Sequence, residues 1–224
     1  MTTPPRPAAP STPLEAWREL AQGNTRFAAD EATHPNADAE QRRRVSTGQK
    51  PFAVVVGCSD SRVAAELVFD RGLGDLFVVR TAGHALDTAV LGSVEFAVEV
   101  LGVPLLVVLG HDSCGAVTAA MQARHEGTVP GGFVRDIVER VTTSVLTAEH
   151  RGETTVTGIV KEHVQATAAQ LLERSEAVRG AVSQGRLGVV GAYYTLADGV
   201  VEAVWSEGVD DLDPVTPGPA ELDG

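Results

Sequence analysis

Two cysteines and one histidine carry the strongest chemical signal in this chain of 224 residues. Cys58 lies in Cys58-Ser59-Asp60-Ser61-Arg62, directly after the apolar run FAVVVG. His111 and Cys114 lie in His111-Asp112-Ser113-Cys114-Gly115, directly after VPLLVVLG. Either Cys alone would read as a small buried hydrophobe. Their shared placement, in polar Gly-flanked turns after apolar runs, points to a metal instead. Two thiolates and an imidazole form a borderline-soft donor set suited to tetrahedral Zn²⁺, with Zn–S near roughly 2.3 Å. The gap of two residues between His111 and Cys114 lets one tight turn aim both at one ion. A helix starting at Gly115 would lower the Cys114 thiol pKa through its N-terminal dipole. Three protein ligands leave a fourth position, which in catalytic zinc sites holds a water that the ion acidifies. Asp60, two residues after Cys58, faces the same way in an extended segment. It can take the fourth position or accept a hydrogen bond from the water. Arg62 can hold that carboxylate in a bidentate pair. A held Asp60 leaves the fourth position open, and a released one closes it. On chemistry alone, a structural site with Asp60 as fourth ligand stands beside the catalytic one.

The elements that must position these groups read as strands alternating with helices. Residues 52–56 (FAVVV), 76–79 (LFVV), 103–109 (VPLLVVL) and 187–194 (LGVVGAYY) are continuous apolar runs. Such runs fit strands buried on both faces, as in a parallel sheet. Residues 199–205 (GVVEAVW) alternate and predict an edge strand. Helical composition covers 88–101, where Leu91, Val94, Val98 and Leu101 share a face, and also 116–125 and 154–178. The pattern predicts an α/β domain: a mostly parallel central sheet of four strands plus an edge strand, with helices on its faces. Ligands in such sheets gather at the carboxyl ends of strands, where both Cys motifs fall. A helix over 13–30 is expected outside the sheet, packing on a neighbour.

Composition sets the outer limits. There are 18 Lys+Arg against 30 Asp+Glu, a formal charge of −12. That balance excludes a basic face for nucleic acid and disfavours anionic membrane surfaces. With 43% hydrophobic and 21% charged residues, the chain reads as a globular protein of one domain spanning 1–224. Residues 1–12, rich in Pro, and 208–224, acidic, are expected to be flexible. No apolar stretch is long enough for a membrane span, and the N-terminus does not read as a secretory signal. The expected location is cytoplasmic, where thiols stay reduced. His34, His125, His150 and His163 sit in polar contexts and are expected at the surface. No phosphate-binding GxxxxGK[ST] loop, dinucleotide fingerprint, Cys-x₅-Arg loop or GxSxG elbow is present.

CSDSR followed by HDSCG, each after an apolar strand, resembles the β-class carbonic anhydrases over about residues 14 to 206. Gln49-Lys50-Pro51, the FVVR of residues 77–80 and the SVEFA of residues 93–97 are similar too. The resemblance implies a zinc enzyme, with one Zn²⁺ per chain, that interconverts CO₂ and bicarbonate as a homodimer or dimer of dimers. It implies Cys58, His111 and Cys114 as zinc ligands, with Asp60 and Arg62 as the carboxylate–guanidinium dyad. It implies that Gln49 binds substrate across the dimer, that Phe77 and Phe96 line the CO₂ pocket, and that the Gly115 N–H donates near a substrate oxygen. The N-terminal helix would reach the partner subunit. Some members bind bicarbonate at a regulatory pocket around a Trp three residues before the first Cys. Val55 stands at that position here, although Arg80 matches the pocket's Arg. His84 stands where many members have Asn, and is a candidate proton shuttle. Two other functions use the same residues: hydrolysis of CS₂ or COS, and a non-catalytic zinc or bicarbonate-binding module with Asp60 permanently on the metal.

Overall fold

The computed structural model describes residues 9–210 and 212. Strands β1 (Ala53–Cys58), β2 (Leu76–Thr81), β3 (Leu105–His111) and β4 (Gly188–Tyr194) are parallel, and β5 (Val201–Glu207) pairs antiparallel with β4. The sheet order is β2-β1-β3-β4-β5. Every residue of β1, β3 and β4 is buried, while β2 and β5 are partly exposed edges. This is the four-plus-one arrangement expected from the continuous apolar runs, which only a sheet covered on both faces can bury.

Among the described residues eight α-helices pack around the sheet: α1 (Pro13–Ala28), α2 (Ala39–Arg44), α3 (Ala65–Val68), α4 (Thr88–Glu95), α5 (Gly115–Glu126), α6 (Val134–His150), α7 (Val156–Arg174) and α8 (Glu176–Ser183). Side chains alternate between two cores. Val54, Val56 and Cys58 of β1 join Leu106 and Val108 of β3 against α4 to α8. Ala53 and Val55 join Leu105, Val107 and Leu109 against α1 and α3.

Three expectations are corrected here. Helix α1 does not stand outside the sheet but packs against it. Trp17 and Leu20 are fully buried, and the Asn24 amide donates to the Val68 and Gly199 carbonyls and accepts from the Val201 N–H. Helix α6 occupies a stretch with no helix expected, because its Val and Thr content masks the period of its buried Val138, Val141, Val145 and Ala148. The helix expected over 154–178 is two, broken at Ser175, whose hydroxyl oxygen accepts from the Val178 N–H and whose O–H donates to Glu95.

The helix expected over 88–101 is continuous but changes pitch. Residues Phe96–Val100 form a π turn closed by the Leu101 N–H on the Phe96 carbonyl at 3.2 Å. Of the segments expected to be flexible, residues 1–8, 211 and 213–224 lie outside the described residues. Within the described part, Thr12 caps α1 and Val209 is buried in the second core. Among the described residues no helix is long and apolar enough to cross a membrane.

Candidate metal centre

The chain leaves β1 for β2 on one side and then crosses to β3 on the other, so a crevice opens between the carboxyl ends of β1 and β3. Cys58 is the last residue of β1 and His111 the last of β3. Both strands therefore run on to the ligands themselves, past the ends expected from composition. Cys114 caps the N-terminus of α5, and Ser113 before it takes a left-handed φ of 54° to make the turn. The donor atoms of Cys58, His111 and Cys114 lie within 4.8 Å of one another, and all three residues are buried.

The tautomer of His111 follows from its partner. Its Nδ1 is 2.7 Å from the Asp112 carbonyl, which only accepts, so Nδ1 carries the proton. Nε2 then presents a lone pair, is buried, and has no hydrogen-bond partner. A buried acceptor left bare is costly unless something binds it. Two neighbouring sulfurs and this bare nitrogen fit a metal ion. Asp112 is held in turn: its Oδ1 accepts from the Leu196 N–H at 2.7 Å.

The thiols are electrostatically unequal. The hydrogen bond with Cys114 is the largest influence lowering Cys58, helped by His111 and the Gly83 and Asp60 amides, and it outweighs burial. Cys114 is pushed up by the same bond and by burial, although the Val117 and Ala116 amides at the start of α5 oppose this. Burial pushes His111 down, but Cys58, the Asp112 carbonyl and Asp60 outweigh it, and the net shift is upward.

Asp60 is gripped by Arg62. Oδ1 accepts from Arg62 Nε at 2.9 Å and from the Arg62 backbone N–H at 2.9 Å, and Oδ2 accepts from Nη2 at 2.7 Å. Arg62 holds the carboxyl far below the usual carboxylate range. Oδ2 lies 3.9 Å from His111 Nε2. Asp60 thus stands beside the Cys–His–Cys group and outside it; of the two expected positions it takes the one that leaves a fourth place open. Arg62 Nη2 also reaches the Ser113 carbonyl at 3.5 Å, tying the two motif loops together.

Other expected residues divide. Gly115 begins α5 beside Cys114, and a Cβ there would meet nothing within 4 Å. Gln49 is exposed in the loop before β1, off the end opposite Cys58 of a strand that runs on the order of 17 Å. Phe77 pairs in register with Val54, four residues before Cys58. It packs on Phe96 at a centroid distance of 6.1 Å, and Phe96 is 43% exposed. These three are not brought to the chain's own metal group.

His84, expected as a shuttle, is 1% exposed. It stacks on His163 at 4.3 Å, and its Nδ1 is 3.2 Å from Thr167 Oγ1. Burial, then His163 and His111, pushes its pKa well down. A ring so enclosed has no direct path to buffer, which speaks against a shuttle at this position. His163 is also buried, against expectation, while His34, His125 and His150 are exposed as expected. Arg80 went unassigned apart from the regulatory pocket. Its Nε donates to the Cys58 carbonyl at 2.8 Å and its Nη2 to the Asp60 carbonyl at 2.5 Å, so its guanidinium shapes the turn that carries Asp60. Val55 is fully buried. An Arg at the end of an edge strand, beside a metal motif, was the available signal.

The sequence pattern described as carbonic anhydrase matches residues 53–201. A carbonic anhydrase from Mycolicibacterium smegmatis is 56% identical over 86% of this chain and 93% of its own length. Carbonic anhydrase 2 of Mycobacterium tuberculosis is 54% identical over 84% and 91%. This chain belongs to the β-class carbonic anhydrase family. The fold agrees. The Coccomyxa β-carbonic anhydrase, solved with acetazolamide, is 27% identical with a TM-score of 0.64, covering 85% of this chain and 83% of that one. A tetrameric β-carbonic anhydrase from Sordaria macrospora has a TM-score of 0.67 at 22% identity, covering 84% and 95%.

Proposed function

We propose that this chain catalyses the reversible hydration of CO₂ to bicarbonate and a proton, with one Zn²⁺ held by Cys58, His111 and Cys114. Family membership supports the reaction. The observation that carries the mechanism is the Arg62 grip on Asp60 beside a Cys–His–Cys group with a bare His111 Nε2. Zinc held there would supply Lewis acidity, by which water becomes a nucleophile near neutral pH.

The rest of the reading concerns side chains. A carboxylate has about four acceptor sites. Arg62 fills two on Oδ1 and one on Oδ2. One site on Oδ2 remains, on the oxygen that faces His111. Asp60 therefore acts as a fixed acceptor for the proton of the attacking water and turns its lone pair toward carbon. Because Arg62 keeps Asp60 ionised, it stays an acceptor throughout the working pH range. The Gly115 N–H stabilises charge developing on the substrate oxygen. Gln49, Phe77 and Phe96 complete the slot of a partner subunit, since none reaches the site of its own chain. A homodimer, alone or as a dimer of dimers, follows from this reading. So does a cytoplasmic setting, in which Cys58 and Cys114 remain thiols. The grip on Asp60 favours this over a closed, non-catalytic zinc module.

Zinc content and stopped-flow CO₂ hydration on one sample test the proposal. Cys58→Ser should lose zinc and activity together. Hydration at the wild-type rate in that variant would refute it, and faster turnover of CS₂ or COS than of CO₂ by the wild type would reassign the substrate.

A further inference from the structure

A buried imidazole away from the metal-ligand group holds the loop that touches a ligand sulfur. The Gly83 N–H donates to Cys58 Sγ at 3.3 Å. The Gly83 carbonyl lies 2.8 Å from His163 Nε2, and His163 Nδ1 lies 2.8 Å from Ser144 Oγ. The tautomer follows from these partners. The carbonyl only accepts, so Nε2 carries the proton, and bare Nδ1 accepts from the Ser144 hydroxyl. His163 on α7 and Ser144 on α6 are both buried.

Gly83 has a φ of 59°, and a Cβ there would come within 2.7 Å of the Ala116 Cβ. Glycine is needed at this position, yet glycine is the residue whose own backbone restrains it least. Two hydrogen bonds grip it from opposite ends, one on its N–H and one on its carbonyl. Helix α7 reaches the loop because Gly110 of β3 admits it: a Cβ on Gly110 would meet Val164 at 2.4 Å and Val160 at 3.1 Å. A side chain that served packing alone would need neither a buried donor nor a hydroxyl to fix its tautomer. Burying that polarity has a cost that an apolar residue would avoid.

We propose that His163 is a positioning residue for the metal centre: its Nε2–H holds the Gly83 carbonyl, which keeps the Gly83 amide aimed at Cys58 Sγ. It works by fixing the geometry and the hydrogen bond of one ligand sulfur, as partners of metal ligands do elsewhere. The inference rests on Cys58, His111 and Cys114 holding zinc.

The test compares His163→Met, of similar volume without a donor, with His163→Gln, whose side-chain amide can restore an N–H near Nε2. Two readouts apply to each folded protein: zinc Kd by chelator competition, and the thiolate-to-metal charge-transfer band of the cobalt form. His163→Met should weaken zinc binding about ten-fold and displace the band, and His163→Gln should keep wild-type values. Unchanged Kd and band in His163→Met, or equal impairment in His163→Gln, would overturn the inference. Nitrogen-15 NMR of the wild-type ring tests it without any variant: a proton on Nε2 and a bare Nδ1 are expected, and a proton on Nδ1 overturns it. A wild type that binds no zinc overturns the proposed function as well, which separates the two failures.

Discussion

At the scale of single residues, the site is organised by which atoms are already occupied. His111 is fixed through Nδ1 so that Nε2 is free, and Asp60 is saturated by Arg62 except at one position on Oδ2. The same logic predicts what Arg62→Ala does. Losing the two guanidinium donors leaves the carboxylate with only the backbone N–H of residue 62 beside the Cys–His–Cys group. The variant should therefore add an oxygen ligand to zinc and lose at least roughly 100-fold in kcat/KM, a typical effect of losing a preorganised polar group. Zinc X-ray absorption decides this; an unchanged ligand shell in Arg62→Ala would show that the ion pair does not keep the carboxylate off the metal. Asp60→Asn should lose activity comparably but add no ligand, because the neutral amide is a poor zinc donor.

Among the elements, α1 and the loops beneath it show how the face opposite the helical bundle is secured. Asn24 spends its amide on three backbone groups from two distant segments. Asn24→Ala would leave them unpaired in the interior, at a cost of about 1–3 kcal/mol. Urea unfolding should show this as a lower midpoint at unchanged slope.

Asp70 after α3 is the acidic counterpart. Burial alone would raise its pKa, but Arg26, Thr33 and His34 hold it down to about 2. The unfolded value is about 3.9. A depressed folded pKa contributes stability that is full above the unfolded value and is lost as pH falls through the folded one. Stability should therefore decline from about pH 4 to about pH 2. Asp70→Asn, measured by urea unfolding across that range, should be weaker at neutral pH and flatter below it.

For the whole molecule, the proposed substrate slot draws on residues at both ends of the strands and so calls for a second copy. The metal group sits at the carboxyl ends of β1 and β3, while Gln49 precedes β1 and Phe77 lies near the start of the edge strand β2. Phe96, Val100 and Leu67 stay exposed on the single chain, as residues of a subunit interface would. Hydration activity should fall on dilution in step with the mass seen by sedimentation. Gln49→Ala should cut kcat/KM while zinc content and assembly stay intact. Full activity in a dilute monomer would show that each chain's site is complete alone.

Much of this was legible in the residues themselves. Continuous apolar runs could only be strands covered on both sides, and motifs that follow two of them had to meet at one end of a parallel sheet, since all parallel strands finish on the same side. The His111–Cys114 and Asp60–Arg62 pairs follow from short spacings, which survive any packing. What tertiary structure alone decided depends on contacts across long separations. It buried His163 where polar neighbours suggested solvent, stacked it on His84, gave Arg80 to two carbonyls of the Cys58 turn, and laid α1 on its own sheet. Local pattern reports a residue's neighbours in the chain; these outcomes were set by neighbours in space.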